Sequence, residues 1–225
     1  MRLLNRTKFL YSKFNHLLIT LVLLVMIFPY GQSFSPRLSI PTLLFLISVV
    51  MALRIVSLKP KRYTFFVSVA VLAYVLNLID NWGLINEGSV PASQLLTALI
   101  YVVFLFTAVC SLIKKIFTAR EVTADTIAGG ISIYLLIGIL WTIIYRIFYY
   151  FDTSTFLISD GSVPNFLFYS FVTLTTLGYG DITPAKIMVQ NLSILEAVAG
   201  QMFVAILIAR IVGLYIAHEM RQEQK

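Results

Sequence analysis

Charge is what this sequence has least of. Asp, Glu, Lys and Arg together make 12% of its 225 residues while 59% are hydrophobic, and the mean hydropathy is +0.90. Soluble domains carry about 25% charged residues, so a water-soluble fold is excluded and an all-α integral membrane protein is expected. Cysteine is nearly absent: Cys110 stands alone in an apolar run, which excludes an intrachain disulfide or a thiolate metal site and predicts a buried thiol. His16 and His218 are equally isolated and suit solvated side chains better than a pH sensor. There is no nucleotide-binding loop, no metal-ligand spacing and no nucleophile–base pair, so neither an enzyme nor a cofactor is expected. The net charge of +7 is scattered over short loops rather than gathered on one face, which argues against a nucleic-acid partner.

What is present is a series of apolar runs, each near the ~20 residues that span a hydrocarbon core. Hydropathy predicts six membrane helices at about 15–30, 38–58, 63–80, 92–113, 127–151 and 186–217, with a shorter amphipathic piece at about 164–175. Pro29-Tyr30-Gly31, Pro36 to Pro41, Lys59-Pro60-Lys61-Arg62 and Asn81 to Pro91 punctuate them. Arg2, Arg6, Lys8 and Lys13 precede the first run as they would in a signal peptide. Pro36 after Ser33-Phe34-Ser35 makes a poor cleavage site, so a retained helix is expected. Of 17 Lys and Arg, all but Arg37, Arg146 and Lys186 fall in the N-terminal arm, the second and fourth connections and the C-terminal part. The positive-inside rule then puts both termini in the cytoplasm, and the chain in the plasma or inner membrane of a cell. The segment between the fifth and sixth helices therefore enters and leaves from outside. The chain divides into a four-helix membrane domain, 1–120, and a second domain, 121–225, that contains this segment.

Residues 160–184 do not read as a spanning helix. Ser162 or Val163 is the expected cap of a helix with Pro164 in its first turn, running to about Thr175. Its length of roughly 17 Å is about half the hydrocarbon thickness. Unpaired carbonyls at its C-terminal end favour a cation just beyond it. The chain must then return to the surface without regular structure, which lipid forbids unless the backbone is buried in protein or lines water. The alternating glycines Gly178 and Gly180 allow successive carbonyls to turn to one side, where they replace the water shell of a cation. One chain supplies one row of oxygens, so a closed ring needs several copies.

The stretch Thr175-Thr176-Leu177-Gly178-Tyr179-Gly180-Asp181 resembles the potassium channel family, whose pore loop ends in Thr-Val-Gly-Tyr-Gly-Asp. Leu177 for Val is its one departure. The resemblance covers about 127–217 and implies a voltage-gated-like channel architecture: six transmembrane helices, a re-entrant pore helix and filter loop, and a homotetramer. It implies a filter at Thr176, Leu177, Gly178, Tyr179 and Gly180, with potassium at the first four as permeant ligand. The Thr176 hydroxyl would complete the innermost site, the Tyr179 ring would pack outward, and Asp181 would tether the outer end. Thr175 would support the filter, and Phe168 and Tyr169 would pack around it. Gly200 lies where the inner helix of this family often has a hinge glycine, and close helix packing explains it equally well. Gln201, Val204, Ala205, Ile208 and Val212 share one face at 100° per residue and would line the cavity. Glu196 and Arg210 fall on the opposite face. Glu196 either braces the back of the filter, through a hydroxyl such as Thr173 or with Arg146, or steadies helix packing; Arg210 is expected to snorkel. Some relatives place a glutamate behind the filter where this chain has Val172.

The voltage-gated branch carries an arginine at every third position of its fourth helix. Here the fourth span has no basic residue before Lys114 and Lys115, and charges at the boundary cross little of the field. Steep voltage gating is therefore not expected. The first four helices read as a lipid-facing, subunit-packing collar in preference to a sensor of lipid or tension. Arg54 is expected to snorkel, and Tyr63, Trp82, Tyr145, Tyr149 and Tyr150 to form interfacial belts. The tail after His218 is too short for a nucleotide- or calcium-binding domain. The expected function is a passive, potassium-selective channel with weak or no voltage dependence. The alternative is a regulatory or auxiliary membrane subunit whose pore loop is structural; an active transporter typically combines several degenerate pore loops in one chain, and this sequence has one.

Overall fold

The computed structural model describes residues 13–28, 40–56, 60–82, 92–119, 122–159 and 163–223. Arg2, Arg6, Lys8, the loops around Pro36 and Glu87, Lys59, Arg120, Ser162 and Lys225 lie outside the described residues, and with them much of the charge count that sets orientation.

Among the described residues, α1 (Lys13–Ile27), α2 (Ile40–Val56), α3 (Pro60–Asn81) and α4 (Ala92–Phe117) precede α5 (Ala124–Phe151), a short α6 (Phe166–Leu174) and a long α7 (Ile187–Glu223). Three stretches are long and apolar enough to cross a membrane: Gln94–Phe117, Ala124–Phe151 and Ile187–Ala217. The apolar parts of α1 to α3 are shorter: Phe14–Ile27, Pro41–Ile55 and Tyr63–Ile79. The chain is a multi-pass helical membrane protein. The all-α expectation needs one correction. A strand β1 (Phe156–Ile158) pairs antiparallel with β2 (Ile182–Pro184), Leu157 opposite Thr183.

Local chemistry explains the helix limits. Pro60, which has no N–H to leave unpaired, opens α3. The Thr123 hydroxyl accepts the Thr126 N–H and caps α5. Asp125, in the first turn of α5, also accepts the Phe14 N–H at 3.3 Å, so one helix start anchors another. Hydroxyls inside the helices mostly bond their own backbone: Ser48, Thr107, Ser111, Ser132 and Thr142 each donate to the carbonyl four residues earlier. That is how a hydroxyl is tolerated away from water.

The main core joins the first four helices to α5. Leu17 and Leu21 of α1, Ala52 of α2, Leu105 and Leu112 of α4, and Ile133 and Leu136 of α5 are all buried in it. Cys110 departs from expectation: it is exposed on the outer surface of α4. Lys115 ties α4 to the end of α2. Its ammonium donates to the Ile55 carbonyl at 2.7 Å and lies over the Phe14 ring, which caps the last turn of α2.

Helix α7 packs along a single stripe. Val189, Ser193, Glu196 and Gly200 are buried, and Phe203, Leu207, Arg210 and Leu214 are half-buried. Their alternating spacing of four and three is the seam expected of helices packed nearly in line. The other faces of α7 are uncovered.

Candidate functional site

The short helix α6 starts later than its sequence suggests. Its cap is Asn165, whose side-chain oxygen accepts the Phe168 N–H at 3.2 Å; Val163 and Pro164 precede it, outside the helix. Nine residues give a rise of about 14 Å rather than 17 Å. The shift follows from Pro164, which pushes the residue before it into extended backbone and leaves the side chain after it to cap.

The end of α6 is closed by its own backbone. Thr175 is the C-cap and Thr176 follows with φ +59°. The Thr176 N–H donates to the Thr173 carbonyl at 2.9 Å and the Leu177 N–H to the Val172 carbonyl at 2.8 Å. This is a Schellman closure, with threonine where glycine is usual. The remaining carbonyls are also engaged. Leu174 O accepts the Tyr134 hydroxyl at 3.3 Å, and Thr175 O accepts the Thr176 hydroxyl at 2.7 Å. The expectation of unpaired carbonyls is thereby corrected: the negative end of the helix persists through its aligned dipoles, while the Phe171 and Val172 carbonyls each accept two hydrogen bonds.

Beyond Thr176 the backbone alternates in hand. Gly178 has φ +60° and Gly180 φ +81°, whereas Leu177 and Tyr179 keep negative φ. A Cβ on either glycine would meet nothing within 4 Å, so glycine is required by backbone conformation and not by crowding. Residues 175–181 are all exposed. The Thr176–Gly180 stretch forms one wall, with no second wall among the described residues. The Phe168 ring stacks on the Tyr179 ring at 5.8 Å and 2°, and the Thr175 hydroxyl bonds back to the Phe171 carbonyl.

Behind α6 lies a buried polar knot. Glu196 of α7 is 0% exposed; its carboxyl takes the Tyr145 hydroxyl at 2.6 Å and the Ser170 hydroxyl at 2.5 Å. Ser170 also lies 2.8 Å from the Gly138 carbonyl, so one side chain of α6 is tied to both flanking helices. The Tyr169 hydroxyl pairs with Ser193 at 2.6 Å. Three expectations are corrected here. Thr173 is not among the hydrogen-bond partners of Glu196. Arg146 donates instead to the Tyr150 hydroxyl at 2.8 Å. Tyr145 is no belt residue, being buried against Trp141, Phe156 and Tyr169. Tyr169 packs in this cluster, on the side of α6 away from Tyr179.

Sequence reasoning missed Tyr145, Ser170, Ser193, Tyr134, Gly138 and Asn165. The available signal was small or polar residues at helical spacing in apolar runs. Gly138 admits the Phe171 ring, which a Cβ there would meet at 2.7 Å.

Gly200 sits in an unbroken helix. A Cβ there would run into the Leu174 carbonyl oxygen and side chain, so the glycine lets α7 pass close under the end of α6. Gln201, Val204, Ala205, Ile208 and Val212 are exposed, on faces away from Glu196. Arg210 is half-buried. It donates to the Ala119 carbonyl at 2.9 Å beside the Phe117 ring, which ties α7 to the end of α4.

The loop is stitched at its base. Beyond the β1–β2 pair, the Ser159 N–H and hydroxyl both donate to the Asp181 carbonyl at 3.0 Å, and the Ala185 N–H donates to Thr155 O at 2.8 Å. It is the Asp181 backbone that is held in this way. Lys186 lies 3.8 Å from Asp152. The Ser154 hydroxyl and N–H, with Lys186 a smaller contributor, hold the Asp152 carboxyl below its ordinary range.

Residues 133–216 match the family model described as Ion channel, a family of channels and not of enzymes. The match takes in most of α5, all of α6 and the loop, and α7 to Ile216. No curated protein and no solved structure matches the chain.

Proposed function

We propose that this chain is one subunit of a homotetrameric potassium channel, passive and weakly or not voltage-gated, whose filter is Thr176–Gly180. The observation that carries the reading is the positive φ at Thr176, Gly178 and Gly180, directly after a helix of half-membrane length. Alternation of hand in successive residues turns successive carbonyls toward one side, and a file of such oxygens substitutes for the hydration shell of potassium. Leu177 contributes to it through its backbone, so its replacement of valine leaves selectivity intact.

Supporting features concern copies and gating. A wall exposed along its length requires partners around an axis, and four is the number that a potassium filter uses. Gln201, Val204, Ala205, Ile208 and Val212 then line the cavity below it, with Glu196 bracing the filter from behind. Lys115, engaged by the Ile55 carbonyl, is a poor carrier of gating charge. The subunit sits in a cell membrane with both termini cytoplasmic.

The test is flux from liposomes holding the purified full chain under a potassium gradient. Potassium and rubidium should pass, sodium should not, and barium should block. Equal permeation by sodium and potassium would overturn the selectivity; a folded assembly that passes no ion would favour the auxiliary-subunit reading.

A further inference from the structure

Three cavities open along the seam between the collar and the α5–α6 unit, and Arg146 lines all of them. One, of about 220 Å³, is polar: Gln94, Thr97 and Tyr101 of α4 face Arg146 and Tyr150 of α5 across it. The next, of about 90 Å³, shares Tyr101 and Arg146 with it and is otherwise mostly apolar, lined by Leu24, Phe28, Phe45 and Leu167. The third, of about 350 Å³, lies toward the start of α6.

Two hydroxyls that line the polar chamber lack a hydrogen-bond partner, whereas Asn77 of α3, which also lines it, is engaged. Thr97 is 3% exposed and its hydroxyl has no partner, unlike the helix hydroxyls that donate to a carbonyl one turn back. The buried Tyr101 hydroxyl, one turn further along the same face, has none either. Arg146 spends one donor on Tyr150, and among the described residues the ion pair found is Lys186 with Asp152, so its charge is unmatched there. The two orphan hydroxyls are costly in an apolar setting, and beside them the exposed Arg146, which lies over the Tyr150 ring, keeps spare donors at the chamber's mouth. An anion with several acceptor oxygens engages all three at once.

We propose that this seam binds an anionic phospholipid, its phosphate held by Arg146, Thr97 and Tyr101 and the start of one acyl chain in the adjoining apolar chamber. The polar chamber alone would serve any phosphate. The apolar chamber joined to it through Arg146 and Tyr101 selects an amphiphile. A lipid held there touches α4 and α5 together and contacts the foot of α6 through Leu167. The site concerns binding and stands independently of ion selectivity.

The test uses the delipidated full chain in detergent. Thermal melting is followed while phosphatidylglycerol, phosphatidylcholine or inorganic phosphate is added, and retained lipid is counted by native mass spectrometry. Phosphatidylglycerol should raise the melting temperature and be retained at about one per subunit, with phosphatidylcholine weaker. Loss of a charge-assisted bond in Arg146→Gln should weaken binding about tenfold. Thr97→Val, which keeps the cavity's shape, should weaken it several-fold. Equal retention by wild type and both variants would overturn the site, and stabilisation by inorganic phosphate as strong as that by lipid would overturn the lipid.

Discussion

At the residue scale the two glycines and one glutamate bear the most. Gly178 is open on its Cβ side yet fixed at φ +60°, so alanine there meets only the backbone cost of the left-handed region, about 1–2 kcal/mol. That is too little to unfold a membrane subunit and enough to turn a carbonyl. Gly178→Ala is expected to abolish potassium flux from liposomes while leaving the size of the assembly unchanged; unaltered flux would refute the filter assignment. Glu196→Leu removes the acceptor of the buried Tyr145 hydroxyl, worth about 1–3 kcal/mol when orphaned, whereas the Ser170 hydroxyl keeps the Gly138 carbonyl. A lower melting temperature is expected, with a smaller loss for Glu196→Gln, which keeps one acceptor. If the carboxyl also braces the filter, the potassium-to-sodium flux ratio falls with it; a stable Glu196→Leu protein with undiminished selectivity would remove that role.

Elements are set by their ends. The Asn165 cap holds the start of α6, and Asn165→Ala should cost about 1 kcal/mol, read as a lower melting temperature. Gly200→Ala pushes α7 from the end of α6 at the Leu174 carbonyl and should disturb the loop more than a substitution at Gly213, where nothing lies within 4 Å. The 3₁₀ turn at Thr153–Thr155 is capped by the Asp152 carboxylate. Because the Ser154 bonds lower the pKa of Asp152, the cap's contribution is complete above the ordinary carboxylate range. It declines progressively as pH falls from that range toward the lowered pKa and is gone below it. Carboxyl-carbon NMR of Asp152 should show that low midpoint, and Ser154→Ala should move it up.

At the scale of the whole molecule, two exposed surfaces carry the proposed assembly. Val198, Met202 and Ile206 of α7 are exposed, and so is the entire Thr176–Gly180 wall. Lipid would cover the former and not the latter, whose polar backbone needs water, ions or protein. Native mass spectrometry of the purified protein is expected to give about four times the 25.4 kDa subunit. A monomer that conducts would contradict the ring.

The sequence by itself determined whatever depends on neighbours along the chain. The apolar runs of the last two long helices and of the fourth, the polar break at 160–184, the glycines at alternate positions and the lack of charge in the fourth span are local properties, and each was legible; the first three runs form apolar helices shorter than the six-span reading expected. The wheel of α7 was legible too, because helical periodicity alone separates Glu196 from Ala205 and Ile208. Tertiary structure decided who meets whom. Glu196 found Tyr145, 51 residues away, and Ser170 rather than Thr173, because the twist of a nine-residue helix selects which hydroxyl faces α7. The β1–β2 pair joins segments whose three-residue runs carry no periodic signal, and the seam around Arg146 exists only once α4 is laid against α5. Short-range sterics and hydrophobicity are written residue by residue; hydrogen-bond partners and cavities depend on the packing angles between elements, which no single element contains.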